Sequence, residues 1–351
     1  MADGKVILVS GISGSGSREF CRRYDSHRIE SGVKVHNTGM MMRERAGTRL
    51  DRYIPRENFP NLHSDTLSLL EYGVFDEIRR NLPQDKQSYG RIIIDTHAML
   101  LWNQVYRNSL KDKHLEGINP DIFINIIDKP SAVRNRQLET EQGRSQKHDL
   151  RDILLWMQQE VIATQRIAEN YKSPHYIFSN KQNPESVESL LMNRFLIYSS
   201  FPMTDADAET TMKIVEFKKN LRNLGRDVLG LGLETPVIDP ADIDIESDVG
   251  LSPEEKDAIK WHTIHRDLKY DVGKATHVIA YYPNARTDLS MGVGHECIEG
   301  INTGKHVYLI TPRVNRSPFL EKNAKIYFPT AEEFLAFFRT KFKEDWENLK
   351  R

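Results

Sequence analysis

The stretch "VSGISGSGSR" (9–18) ends a run of apolar, β-branched residues in a glycine-rich loop. Gly11 and Gly16 stand at the glycine positions of the phosphate-loop pattern GxxxxGK[ST], with Gly14 and Ser15 between them. Such a loop, opening a helix, aims backbone N–H groups at a phosphate. Ser17 occupies the place of the usual lysine, and Arg18 that of the usual magnesium-binding hydroxyl. Serine cannot bridge a transferring phosphate, and arginine cannot ligate a cation, so anchoring is expected here more than turnover. Asp95, at the end of the buried run "RIIID", is a carboxylate at a strand tip, where α/β sheets bind ligands. In the second half, "DLSMGVGHECIEGINTGK" (288–305) sets Ser290, Gly292, Gly294 and Glu296 two residues apart. The glycines predict a tight turn just before a helix, and Glu296 falls in that helix's first turn, facing a ligand. Upstream, His265, Arg266 and Asp267 lie on a predicted helix that leads into a strand at 276–282.

Two cycles of strand and helix must position these groups. In the first, the segments 5–10, 32–37, 90–96, 121–128 and 174–180 read as strands, with helices including 64–81 and 150–171. Runs such as Ile92-Ile93-Ile94 do not alternate, which predicts a parallel sheet covered on both faces. The charged segment 139–152 has no apolar stripe and reads as an exposed, mobile lid. In the second cycle the segments 194–200, 227–233, 276–283, 305–312 and 324–329 read as strands. Helices are expected at about 207–224, 252–274, 292–303 and 330–349, the last opening with Thr330 and Glu333 at capping-box spacing. The fold class is α/β: two tandem three-layer domains with mainly parallel sheets, 1–193 and 194–351. Residues 234–255 are the most loop-like part of the second.

The first half resembles archaeal-type adenylate kinases over nearly all of 4–192. The resemblance rests on "VSGISGSGS", "VKVHNTGMMMRE", "IIIDTHAMLLW", "INPDIFINIIDKPSAVRNRQLE" and "IFSNKQNPESVESLL". It implies that Gly39 lines a monophosphate pocket, that Asp95 and His97 sit near the phosphates, and that Arg134, Arg136 and Arg144 are clamp and lid arginines. The second half, over about 194–330, resembles the nucleoside 2-deoxyribosyltransferase superfamily, especially its deoxynucleoside 5′-monophosphate N-glycosidase branch. Ser290, Gly292, Gly294, Glu296, Gly304 and Lys305 match that family's serine, GxG, glutamate and GK pattern, and Arg266-Asp267-Leu268 matches its upstream RDL. By that resemblance Glu296 is the nucleophile at C1′ and Asp267 protonates the departing base, which answers the positive charge that glycosidic cleavage builds on the sugar. Ser200 and Ser290 would contact a 5′-phosphate. Two departures from the family stand out: Pro202 follows Phe201 where an arginine is expected, and Tyr198 falls two positions later than the expected strand tyrosine.

The leading expectation is therefore an N-glycosidase or 2-deoxyribosyltransferase acting on a 2′-deoxynucleoside or its monophosphate, joined to a nucleotide-binding, vestigial kinase domain. An active nucleoside monophosphate kinase with a substrate-selecting second domain, and a nucleotide sensor without turnover, are the alternatives. Glycosidic cleavage calls for no cofactor; ATP and Mg²⁺ belong to the first domain if it is active. No histidine spacing suggests a zinc site. With 49 basic and 50 acidic residues among 351, a net charge of -1 leaves no global field to recruit nucleic acid or a membrane surface. The partners expected are small nucleotides or nucleosides, and a homodimer or larger homo-oligomer, by resemblance, with 313–320 as the crossing segment. The two cysteines, Cys21 and Cys297, and an N-terminus without a signal pattern point to the cytoplasm.

Overall fold

The computed structural model describes residues 4–26, 32–49, 54–202, 207–230, 232–243, 251–284, 290–312 and 324–349. The chain divides into two units: 1–181 with 245–259, and 182–244 with 260–351. The division at 181/182 assigns the helix Glu185–Met192 to the second unit, where the sequence had put it in the first. Among the described residues, no helix is long and apolar enough to cross a membrane.

The first unit is built on five parallel strands in the order β2-β3-β1-β6-β7: β1 Lys5–Ser10, β2 Val33–Asn37, β3 Arg91–Thr96, β6 Ile122–Ile127 and β7 His175–Ser179. Ile92, Ile93 and Ile94 are fully buried, as a sheet covered on both faces requires. An antiparallel hairpin, β4 Met99–Trp102 and β5 Val105–Asn108, follows β3 and was not foreseen. Its turn residues, Asn103 and Gln104, both adopt positive φ, and its short strands leave little apolar pattern to read. The segment expected as a lid contains a helix, Glu141–Gln146, and a capped entry at Asp149 into the helix Leu150–Asn170.

The second unit's sheet is also parallel, in the order β12-β11-β10-β8-β9: β8 Ile197–Ser200, β9 Val237–Ile238, β10 His277–Tyr281, β11 His306–Ile310 and β12 Ile326–Phe328. The expected strand at 227–233 is corrected. A single helix, Ala208–Leu229, runs through to Gly230, whose left-handed φ of 64° ends it, and the strand comes later, at β9. Apolar residues of "DVLGLGL" thus belong to a helix end, and the short run could not be told from a strand by periodicity. Phe334, Phe338, Phe342 and Trp346, four residues apart on the helix Ala331–Leu349, form one buried stripe on the core.

That core also holds His277, His306 and Asp345, whose donor atoms lie within 4.8 Å of one another. Each is already engaged: His277 Nε2 lies 3.0 Å from Asp345 Oδ2, Lys341 Nζ 2.7 Å from Asp345 Oδ1, and Lys325 Nζ 3.1 Å from His306 Nδ1. Two ammonium groups supply the positive charge a metal would bring, and the trio pins the last helix to the sheet.

Candidate functional site

In the first unit a cleft of about 690 Å³ opens at the carboxyl ends of β1 and β3, which pair Val9 with Asp95 and Ser10 with Thr96. The glycine loop forms one wall. Gly14 and Gly16 have φ of 87° and 93°, and a Cβ on Gly16 would stand 2.5 Å from the Asn180 side chain, so only glycine fits. The helix Ser17–Ser26 starts directly behind the loop. Of the loop residues, Ser13, Gly14, Gly16 and Ser17 line the cleft, whereas Gly11 and Ser15 are not brought to its wall; Ser15 Oγ is fully buried with no hydrogen-bond partner among the described residues. The cradle therefore fits a phosphate group.

Asp95 receives a bond from Asn37 Nδ2 at 2.5 Å and is bonded by the Ser17 hydroxyl. Burial raises its pKa, while His97, Ser17 and Asn37 pull it back. His97 Nδ1 pairs with the Gly11 carbonyl, which leaves its ring beside the loop. Gly39 and His97 line the cleft. Of the arginines, Arg18, Arg22, Arg43, Arg107 and Arg136 line it. Arg136 pairs with Asp128, and Arg107 lies 2.8 Å from Glu71. Arg134 and Arg144 are not brought to the cleft wall; Arg144 Nη1 instead donates to the Leu138 and Glu139 carbonyls at 3.0 and 3.2 Å.

One residue here escaped the sequence reading. Glu160, buried on the helix Leu150–Asn170, accepts from Ser10 Oγ, from Ala98 N at 2.8 Å and from Met99 N at 2.6 Å. It ties the end of β1 to the backbone after Asp95-Thr96-His97. Burial raises its pKa, and His97 and the donors oppose that rise. The signal was available: a glutamate on the face that buries Ile153, Met157 and Thr164 needs a partner.

In the second unit the strand order reverses between β8 and β10, the place where parallel α/β sheets bind ligands. Glu296 stands there. Tyr198 Oη, on β8, donates to its Oε1 at 2.7 Å, and Ser200 Oγ, at the end of the same strand, donates to Oε2. Desolvation pushes the Glu296 pKa up to about 7, against the pull of those two hydroxyls; the nearby Asp267 adds to the rise. Tyr198, fully buried, is raised well above its ordinary value by burial and then by Glu296.

Several expectations change at this point. Tyr198, two positions later than the expected strand tyrosine, reaches the carboxylate of Glu296 with its hydroxyl. Ser200 engages that same carboxylate. Ser290 caps the helix Met291–Asn302, accepting from Val293 N at 3.4 Å. Gly292 and Gly294 lie inside that helix rather than in a turn before it, so Glu296 belongs to its second turn. The reason is the serine cap, which starts the helix two residues before the first turn-permitting glycine can act. A Cβ on Gly294 would meet nothing within 4 Å among the described residues.

Asp267 is buried, and Arg266 grips it: Nη2 lies 2.6 Å and Nε 2.9 Å from Asp267 Oδ1. Burial raises the Asp267 pKa and the guanidinium lowers it, with burial the larger effect. Both residues open a π-helical segment, Arg266–Val272, that continues the helix Pro253–His265. Lys269 is not part of the cluster; it pairs with Glu299 at 2.9 Å. The residues 285–289, between β10 and Ser290, and the crossing segment 313–320 lie outside the described residues.

These two arrangements are what comparison with known proteins can be laid beside. A family model described as an AAA domain matches residues 10–153. It covers the glycine loop, Asp95 and the cleft, and stops short of the second unit. Residues 10–153 are thus similar to an AAA domain. No curated protein sequence matches the chain. Among solved structures, an unliganded sugar kinase from Janibacter sp. HTCC2649 is similar at 14% identity with a TM-score of 0.30, covering 53% of this chain and 92% of its own. TT1252 from Thermus thermophilus is similar at 14% identity and a TM-score of 0.30, covering 50% and 88%. A chain of the Pnkp1/Rnl/Hen1 RNA repair complex reaches 12% identity and a TM-score of 0.29, covering 93% and 97%.

Proposed function

We propose that the second unit breaks the N-glycosidic bond of a 2′-deoxynucleoside or its 5′-monophosphate through Glu296, and that the first unit binds a nucleotide. The observation that carries this reading is the grip on Glu296. Two hydroxyls donate to one carboxylate at the β8–β10 reversal, with a second carboxylate, Asp267, close enough to raise its pKa. Glu296 attacks C1′ as the C1′–N bond breaks, forming a glycosyl ester; the departing base takes a proton from Asp267. Water or an acceptor nucleoside then attacks C1′ and gives its proton to the Asp267 carboxylate, while the C1′–O ester bond breaks and releases Glu296. The hydroxyls of Tyr198 and Ser200 orient the attacking oxygen and hold back its protonation.

In the first unit the loop N–H groups would hold phosphate, and Ser17 with Asp95 would supply oxygen ligands for Mg²⁺. ATP with Mg²⁺ would bring a transferable phosphoryl group there. The five cleft arginines favour phosphate binding, and the absence of the loop lysine weighs against fast transfer.

A panel of deoxynucleoside monophosphates and their nucleosides, incubated with the protein with and without ATP and Mg²⁺ and resolved by chromatography, tests both readings. Free base is expected from at least one substrate, unaffected by ATP, and Glu296→Gln is expected to lower its release at least a thousandfold. Diphosphate without free base would replace this reading by that of a kinase. Neither product would leave a binding protein.

A further inference from the structure

Asp271 plays no part in the mechanism above, yet it is 4% exposed and sits within the same cluster. In an α-helix, residues five apart point about 140° away from each other. The π-helical segment changes this, because its i→i+5 hydrogen bonds bring residue i+5 back over residue i. Arg266 and Asp271 are such a pair, and Asp271 Oδ2 lies 3.5 Å from Arg266 Nε. The same Nε lies 2.9 Å from Asp267. One guanidinium thus stands between two buried carboxylates, with a third carboxylate, Glu296, in electrostatic reach of both. The charged and titratable groups facing Asp271 are Arg266 and Asp267 of its own helix, Tyr198 of β8 and Glu296 of the helix Met291–Asn302.

We propose that Asp271 is a positioning residue that competes with Asp267 for Arg266 and so keeps a proton on the Asp267–Asp271 pair near neutral pH. The proposal rests on the glycosidic reading of Glu296 and Asp267. A carboxylate fully paired with arginine stays ionised and cannot protonate a leaving base. Two carboxylates on one cation cannot both be neutralised, so one of them carries the proton the reaction needs. Burial, with Asp267 and Glu296 adding to it, pushes the Asp271 pKa up to about 8, and burial raises Asp267 against the pull of Arg266.

Asp271→Asn keeps the shape of the side chain and removes its charge; Asp271→Ser is the second variant, should asparagine not fold. The alkaline limb of the base-release profile, read as kcat/KM against pH, is expected to move down by at least one pH unit, with KM changed less than twofold. A purely structural role would lower activity evenly across pH. In the unliganded protein, carboxyl ¹³C NMR titration, assigned with Asp267→Asn, is expected to show the Asp267 midpoint falling when Asp271 is replaced. Base release with an unmoved limb and an unmoved Asp267 midpoint overturns the inference while leaving the glycosidic reading intact. If no substrate releases base at any pH, the glycosidic reading fails, and the NMR midpoint alone decides whether Asp271 governs Asp267.

Discussion

At the scale of single residues, the cluster around Glu296 sacrifices stability to hold a reactive carboxylate. Its folded pKa, about 7, lies above the ordinary glutamate value near 4.3, so folding favours the protonated form. The stability that this contributes is whole below about pH 4.3 and is lost as pH rises through about 7. Replacing Glu296 by glutamine removes the penalty. Glu296→Gln is therefore expected to melt with the wild type near pH 5 and above it at pH 8.5, by on the order of 2 to 3 kcal/mol, or roughly 5 °C. A melting difference that stays constant with pH would show that the carboxylate is not strained by burial. Glu296 and Asp267 were singled out together in the sequence by the family resemblance of their two separate motifs, and the structure brings them into electrostatic reach of each other. Tyr198 and Asp271 were not, since their roles depend on which way a strand faces and on a π-turn that shifts register, and neither leaves a compositional mark.

At the scale of elements, the helix Met291–Asn302 decides where Glu296 sits, and two glycines on it have opposite duties. Gly300 packs against the sheet: a Cβ there would stand 2.9 Å from Val278 Cγ2 and 3.0 Å from Val307 Cγ2. Gly294 has no such neighbour among the described residues. Gly300→Ala is expected to force the helix off β10 and β11, costing about 1 to 3 kcal/mol and displacing Glu296 from Tyr198. Gly294→Ala should do the reverse to stability, adding about 0.5 to 1 kcal/mol by helix propensity, while raising KM as the methyl enters ligand space. Denaturant melts read beside substrate titrations separate the two; a Gly294→Ala variant with unchanged KM would mean that the ligand does not lie against this turn. Both parallel sheets were readable from unbroken runs such as Ile92–Ile94, whereas the helix Ala208–Leu229 was read five residues short. Its last turn carries Val228 and Leu229, packed on the core, and apolar residues before a glycine look the same at a helix end as in a strand.

At the scale of the whole molecule, the position of the helix Glu185–Met192 can be tested by cutting the chain. The sequence placed the boundary after 193, because a strand begins there and the preceding helix closes a strand–helix cycle. The contacts of that helix point the other way: Glu185 pairs with Arg226 and accepts from Glu234 N at 3.0 Å, Ser189 Oγ donates to the Glu234 carbonyl at 2.6 Å, and Asn193 Nδ2 donates to the Trp346 carbonyl at 2.6 Å. Val187 and Leu190 are buried as well. Burying two aliphatic side chains is worth about 1.5 to 3 kcal/mol each, and the lost polar contacts leave the Glu234 backbone unpaired, while Arg226 keeps Glu234 at 3.2 Å, so the helix should contribute on the order of 4 kcal/mol. A fragment of residues 182–351 is accordingly expected to unfold in one cooperative step, and a fragment of 194–351 to melt roughly 10 °C lower or not to fold. Glu296 should keep its elevated titration in the longer fragment, since Tyr198, Ser200 and Asp267 all travel with it. Equal melting temperatures for the two fragments would return the helix to the first unit and restore the boundary that periodicity alone suggested.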